Sequence, residues 1–253
     1  MNSLPLTLVI LTNNSEINLS KIVDFWKYFS EVIIVDDQST DNTEKIAKNF
    51  GAKFISRKLS GDFASQRNIT LTIAKNSWVL FLDDDEQIGL NFIDELNSID
   101  WENTPYGAFK IKRVDMFLGQ KLTHGEVWQA SHDGIIRLVK KSVGEFVGPV
   151  HETFVTSEKV GRLKSSITHF AHESISSFLQ KINLYSTLRA QELLSAKKKV
   201  FITSLFFYPL AKFIYSYFLL LGFLDKEAGF IYSFLMSFHS FLVRAKLLVK
   251  TSD

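Results

Sequence analysis

The chain has 253 residues, 46% hydrophobic and 22% charged, which suffices for one full α/β core with a short appendage but not for two large domains. It has no cysteine, so disulfides, thiolate metal sites and cysteine nucleophiles are excluded. Its 29 basic and 27 acidic residues balance too evenly for a nucleic-acid footprint, and no nucleic-acid partner is expected.

Residues 6–11 form an apolar run that reads as a buried strand, and no basic n-region or small-residue cleavage site precedes it. The expectation is a protein that stays on the cytosolic side. A helix is expected over 19–28, a second strand over 31–35, a weaker third over 52–56 and a strong fourth over 78–82. Helical patterns at 42–50 and 63–75 follow capping aspartates, Asp41 and Asp62. Continuous apolar strands alternating with helices imply a parallel sheet covered on both faces, with ligands beyond the carboxyl ends of its strands. After residue 101 the pattern changes to strands of a mixed sheet at 108–114 and 135–139, with a turn at 118–121. A second turn signal falls at 158–162, and a long helix is expected over 175–196.

Two expected strand ends are acidic. In Leu82-Asp83-Asp84-Asp85-Glu86, an extended backbone would turn Asp83 and Asp85 to one side. Converging carboxylates repel unless a cation lies between them, and oxygen ligands suit Mg²⁺ or Mn²⁺; the competing reading is a solvated turn capping the next helix. In Val35-Asp36-Asp37-Gln38-Ser39-Thr40-Asp41, a strand-end carboxylate can accept hydrogen bonds from a nucleobase or a ribose, while Ser39 and Asp41 shape the turn.

These two motifs together resemble glycosyltransferase family 2, inverting enzymes of the GT-A fold. The closest resemblance is to the lipopolysaccharide inner-core glucosyltransferase branch, through Gln66-Arg67-Asn68, Thr123-His124-Gly125, Ile136-Arg137-Leu138, Val150-His151-Glu152, Val160-Gly161-Arg162-Leu163, Leu184-Tyr185-Ser186-Thr187, Gly222-Phe223-Leu224-Asp225 and Ala228-Gly229-Phe230. The resemblance implies an α/β, Rossmann-like mixed sheet flanked by helices. It implies transfer of a hexose such as glucose from a nucleoside-diphosphate sugar, UDP in the first instance, to a saccharide that is lipid-linked or part of a lipopolysaccharide core. Asp36, Asp37, Arg67, Asp83 and Asp84 would bind the donor, and Asp83 and Asp85 the divalent cation. Glu152 would be the general base, with His151 orienting it or binding acceptor and Asp133 the alternative base. Asn13-Asn14-Ser15-Glu16 and the charged Asp84 depart from the family pattern.

Residues 1–199 are read as the catalytic domain, 1–100 its donor half and 101–199 its acceptor half, and 200–253 as a separate tail. The tail holds 10 of the 23 phenylalanines and 4 of the 7 tyrosines. Ser204, Tyr208, Lys212 and Ser216 form one polar stripe at helical spacing; Ser233, Ser237, Ser240 and Arg244 form another. The expectation is a pair of amphipathic helices at the cytoplasmic face of the inner (plasma) membrane, peripheral or monotopic; packing on the catalytic domain or on a second subunit is the competing reading. Two other classes fit part of the pattern. A haloacid-dehalogenase-like phosphohydrolase would use Asp83 as nucleophile and Asp85 as acid, and a non-catalytic membrane-bound adaptor would need only the tail.

Overall fold

The computed structural model describes residues 3–148, 152–172, 174–198 and 200–251. In chain order the elements are β1 (Leu4–Thr12), α1 (Glu16–Ile22), β2 (Phe29–Asp36), α2 (Thr43–Asn49), β3 (Lys53–Ser56), α3 (Phe63–Ile73), β4 (Trp78–Asp83), β5 (Glu86–Gln87), α4 (Leu90–Asn97), β6 (Ala108–Phe117) and β7 (Gln120–Leu122). There follow α5 (Trp128–His132), β8 (Ile135–Lys140), β9 (Gly144–Val147), β10 (Thr153–Thr156), β11 (Val160–His172), α6 (Ile175–Ser195), α7 (Ser204–Ile214) and α8 (Lys226–Thr251). They group into two compact units, Met1–Arg113 with Asp133–His169, and Val114–His132 with Phe170–Asp253. Residues 200–251 thus share a unit with 114–132 and with α6.

In the first unit the sheet runs β3-β2-β1-β4-β8-β6-β11-β5. It is parallel from β3 to β4 and antiparallel where β8 joins β4 and β6, so it is the mixed sheet of the GT-A fold. The central strands carry continuous apolar runs, 8–11, 32–35 and 78–82, because both faces are covered. Leu8, Ile10, Leu80 and Leu82 pack with Leu19, Trp26, Phe92 and Ile93 on one side. Val9, Ile33, Val79 and Phe81 pack with Ala64, Leu71 and Phe146 on the other.

Local chemistry explains where elements start and stop. Asp62 caps α3 by accepting from the Ser65 amide at 2.9 Å. The cap of α2 is Asn42, while the Asp41 carboxylate accepts from the Thr43 amide at 3.0 Å. The single helix expected over 19–28 is α1 followed by a 3₁₀ turn, Val23–Tyr28. With three residues per turn, Val23, Trp26 and Phe29 fall on one side and all three are buried. The turn expected at 158–162 ends earlier, and Val160–Gly161–Arg162 already belong to β11. A Cβ at Gly161 would lie 2.7 Å from the Phe109 ring. The β9–β10 hairpin was not signalled by any pattern in the sequence.

In the second unit, Phe117, Leu122, Val127, Phe178, Ile182, Ala228 and Leu235 form one core. Ser174 and Ser177 cap α6 reciprocally. The two polar stripes of the tail face each other: Ser216 and Ser233 hydroxyls are 3.1 Å apart, and the Ser237 hydroxyl donates to the Pro209 carbonyl at 2.8 Å. The Arg244 guanidinium sits 4.1 Å from the Tyr208 ring centre, and Lys212 pairs with Glu126 at 3.1 Å. The opposite faces are apolar and open, with Phe206 72% and Phe207 68% exposed. Among the described residues no single helix is long and apolar enough to cross a membrane, but the pair Ser204–Leu219 and Gly222–Val249, bent by 74°, passes that test jointly.

Candidate active site

The site is built at the carboxyl edge of the parallel strands, where register sets Asp36 of β2 beside Thr12 of β1, and Asp83 of β4 beside Leu11. Asp36 is buried and spends its carboxylate on the turn, accepting from Thr12 Oγ1 at 2.9 Å, the Ser39 amide at 2.7 Å and the Ser39 hydroxyl. These bonds shape the loop at the strand end. The next residue, Asp37, anchors Oδ1 on the Leu59 amide at 2.8 Å, and nothing among the described residues engages Oδ2. The segment that departs from the family pattern latches this edge: Asn13 Nδ2 donates to the Asp37 carbonyl at 2.6 Å, and Glu16 accepts from the Asn42 amide and side chain at 3.1 and 3.0 Å.

Arg67 lies at the centre of the acidic cluster. From α3 it is aimed past Phe81 and Phe146, its Cζ 5.3 and 5.6 Å from the two ring centres. Asn68 holds β9 alongside, its amide group exchanging two 2.8 Å hydrogen bonds with the Phe146 backbone. Arg67 Nε donates to Glu152 Oε1 at 2.6 Å, and Nη2 donates to Asp83 Oδ1 at 2.9 Å. With its side chain only 2% exposed, Arg67 commits two nitrogens to protein carboxylates instead of to a phosphate. Nη1 is buried without a hydrogen-bond partner.

The second oxygen of Asp83 accepts from Arg137 Nη2 at 2.5 Å, and the same nitrogen lies 3.3 Å from buried Glu86. Burial alone would raise the Asp83 carboxyl, but the charges of Arg137 and then Arg67 outweigh it and hold the group well below the ordinary carboxylate range. Glu86 goes the other way: burial pushes it up and the Asp83 charge adds to that, against the pull of Arg137. Replacing Arg137 by Met would leave Asp83 and Glu86 without that cation. The expected loss is about 3–5 kcal/mol, read in a thermal melt as a midpoint lower by roughly 6–20 °C.

The acidic motif itself turns where the sequence reading assumed an extended strand. β4 ends at Asp83, residues 84 and 85 make a turn, and β5 begins at Glu86. Asp84 therefore faces α1, its Oδ2 accepting from Ser15 Oγ at 2.6 Å and Asn18 Nδ2 at 3.1 Å. Burial raises its carboxyl despite the Ser15 hydrogen bond, and the Asp85 charge adds to the rise. Asp85 lies 3.4 Å from His169 Nε2 on β11, a residue the sequence reading missed. Antiparallel pairing of His169 with Glu86 brings it there, and no local spacing announces a partner 84 residues away.

For a divalent cation, Asp83 is a poor fit because both its oxygens are held by guanidinium groups. Asp85 and His169 fit better, one carboxylate oxygen and one imidazole nitrogen, both partly exposed. Among the described residues no group of three or more such side chains is placed to hold an ion. Two protein ligands completed by diphosphate oxygens and water is the usual arrangement for Mg²⁺ in nucleotide sites.

Asp133, the alternative base, stands apart from this cluster. Lys110 and Arg162 both hydrogen-bond its carboxylate, and the Lys110 bond first, then the Arg162 bond, lower its pKa. His151 lies outside the described residues. The phosphohydrolase reading needs Asp83 as a free nucleophile, and two arginines occupy it.

The edge of the parallel strands thus gathers the half-buried Asp37, the Asp85–His169 pair, and Glu152 joined to the strand end by Arg67. Residues 9–104 match the family Glycosyl transferase family 2. The chain is 29% identical over 251 residues to an uncharacterized glycosyltransferase of Rickettsia typhi, covering 94% of this chain and 85% of the relative. It is 26% identical over 247 residues to the lipopolysaccharide core biosynthesis glycosyltransferase LpsC of Rhizobium meliloti, covering 92% and 90%. Among solved structures, residues 1–349 of S. aureus TarS share the fold with a TM-score of 0.50 at 16% identity, over 98% of this chain and 91% of that one.

Proposed function

We propose that the protein transfers a hexose, glucose in the first instance, from a nucleoside-diphosphate sugar to a hydroxyl of a lipid-linked saccharide of the lipopolysaccharide-core type, with inversion at the anomeric carbon. The observation that carries this reading is the single guanidinium of Arg67 holding both the strand-end acid Asp83 and Glu152. It fixes a carboxylate beside the donor edge, where an inverting transfer needs a group to take the acceptor proton. Asp37 would bind the base or ribose of the donor, and Asp85 with His169 would hold a divalent cation, Mg²⁺ or Mn²⁺, against the diphosphate. That cation would neutralise charge on the leaving diphosphate. The similarity to LpsC supports the acceptor class. The test is a donor screen for nucleoside-diphosphate release with core oligosaccharide as acceptor. UDP-glucose is expected to be consumed and EDTA to stop turnover until Mn²⁺ or Mg²⁺ is restored; no release from any donor would reject the reading.

The same proposal places the protein at the cytoplasmic face of the inner membrane. A helix pair with its polar groups turned inward and its phenylalanines outward suits a lipid surface better than water. Charge supports this: residues 174–253 hold ten basic and four acidic side chains, whereas 1–173 hold 19 and 23. Basic groups near anionic lipid contribute about 1 kcal/mol each. In liposome flotation the full chain is expected to rise with anionic vesicles at low salt. The double substitution Phe206→Ser and Phe207→Ser should shift it to the soluble fraction without lowering its melting temperature. Recovery of the wild-type chain in the soluble fraction would assign the apolar face to a protein interface.

A further inference from the structure

Two motifs not used by the donor site come together in the second unit, although a hundred residues separate them. Asp225, the last residue of the 3₁₀ turn Gly222–Asp225, is buried. Its carboxylate accepts from the Thr123 amide at 2.9 Å, the Thr123 hydroxyl at 3.1 Å, the His124 amide at 2.7 Å and His124 Nδ1 at 2.9 Å. Gly125 lets the loop close on this turn: its φ is +68°, and its amide donates to the Leu220 carbonyl at 2.9 Å. Two amides and a hydroxyl already meet the needs of a buried carboxylate in a latch. The fourth donor, an imidazole left partly exposed, does something further: with its Nδ1 proton on Asp225 it is held in one orientation and keeps its Nε2 for another partner.

A second imidazole repeats the arrangement. His132 Nδ1 donates to the Trp128 carbonyl at 3.1 Å and lies 2.9 Å from the Ser131 hydroxyl, which itself donates to the Thr123 carbonyl. Its ring centre is 5.5 Å from that of His124, and the Trp128 indole stacks on it at 5.0 Å with planes 13° apart. Trp128 remains 41% exposed. No Nε2 atom of either histidine is engaged in the described residues. With Nδ1 protonated, each Nε2 of a neutral imidazole is an acceptor for a hydroxyl donor. No third carboxylate, histidine or cysteine joins them in a metal-binding group among the described residues.

We infer that this shelf of Trp128, His132 and His124, locked onto Asp225, is a saccharide-binding site for the acceptor. The exposed indole face would stack on the apolar face of a pyranose ring, and the imidazole Nε2 atoms would accept from sugar hydroxyls. Asp225 is a positioning residue here, acting through His124. The inference rests on the glycosyltransferase reading and names where its acceptor is recognised.

The experiment is a titration of the full-length protein with deacylated lipopolysaccharide core oligosaccharide in the absence of donor, following the Trp128 indole N–H signal by NMR. Saturable movement of that signal is expected. Trp128→Ala and His124→Ala should each weaken oligosaccharide binding roughly three- to tenfold, with UDP affinity and melting temperature kept. Undiminished oligosaccharide binding by both variants, or no binding by a wild-type protein that does release UDP from UDP-glucose, would overturn the shelf and leave the transferase reading standing. Because Trp128 is exposed, its replacement spares the fold; if only His124→Ala weakens binding and does so with a matching fall in melting temperature, the cluster is a structural latch and the inference is overturned. A wild-type protein that binds neither UDP nor oligosaccharide would reject the underlying reading.

Discussion

Glu152→Gln is expected to lower transfer by about 10²–10⁴-fold while leaving UDP affinity near that of the wild type. The substitution is close to isosteric, and its amide oxygen can still accept from Arg67 Nε, which now holds Glu152 at 2.6 Å. Arg67 therefore keeps its bond to Asp83, and the donor edge is undisturbed. What disappears is the group able to take a proton from the acceptor hydroxyl. Product analysis should show an inverted anomeric centre for the residual wild-type-like turnover. Asp133→Asn is the comparison. Its carboxylate is tied to Lys110 and Arg162 rather than to the arginine that holds the strand-end Asp83, so its loss should cost less activity than the loss of Glu152. The opposite ranking would move the role of base to Asp133.

Continuous apolar runs made the strands legible, and they did so because both faces of the central sheet are buried. The run Trp78–Asp83 has no polar residue before its end, so its position and its acidic terminus follow from composition. The pairing of the carboxylates was not legible in the same way. Arg67 reads as a helix residue near a strand, and only the folded chain brings it to Glu152, 85 residues away. The alternation argument for Asp83 and Asp85 failed for a local reason: the backbone turns at 84–85, so period two no longer applies. Asp36 and Asp37 are equivalent on paper, but β2 carries the first inward to Thr12 and leaves the second outside.

The tail teaches a related lesson. Its polar stripes were visible at helical spacing, but an amphipathic helix does not say which face is inside. Here Ser216 meets Ser233, and Tyr208 meets Arg244, so the apolar face is the outer one. Nor is residue 200 the edge of a removable appendage, because Ala228 and Leu235 share a core with Phe178 and Ile182. Truncation after residue 199 would expose that core, and point substitutions on the outer face are the cleaner probe of membrane binding.

Asp85→Asn is expected to reduce transfer by about 10²–10³-fold, the equivalent of the several kcal/mol a cation on the diphosphate supplies. An amide oxygen is a poorer ligand for a hard cation than a carboxylate. His169→Ala should act in the same direction, since His169 Nε2 lies 3.4 Å from Asp85. Both side chains are partly exposed, so neither replacement should approach the stability loss expected for Arg137→Met at its buried ion pairs. The two variants should also bind Mn²⁺ more weakly when titrated directly by paramagnetic relaxation of water, a reading independent of turnover. Asp83→Asn provides the contrast. Its oxygens already accept from Arg67 and Arg137, so it should lower the melting temperature but leave Mn²⁺ affinity largely intact. If instead Asp83→Asn abolished Mn²⁺ binding and Asp85→Asn did not, the cation would have to displace the two arginines from Asp83, and the assignment of Asp85 and His169 would fall.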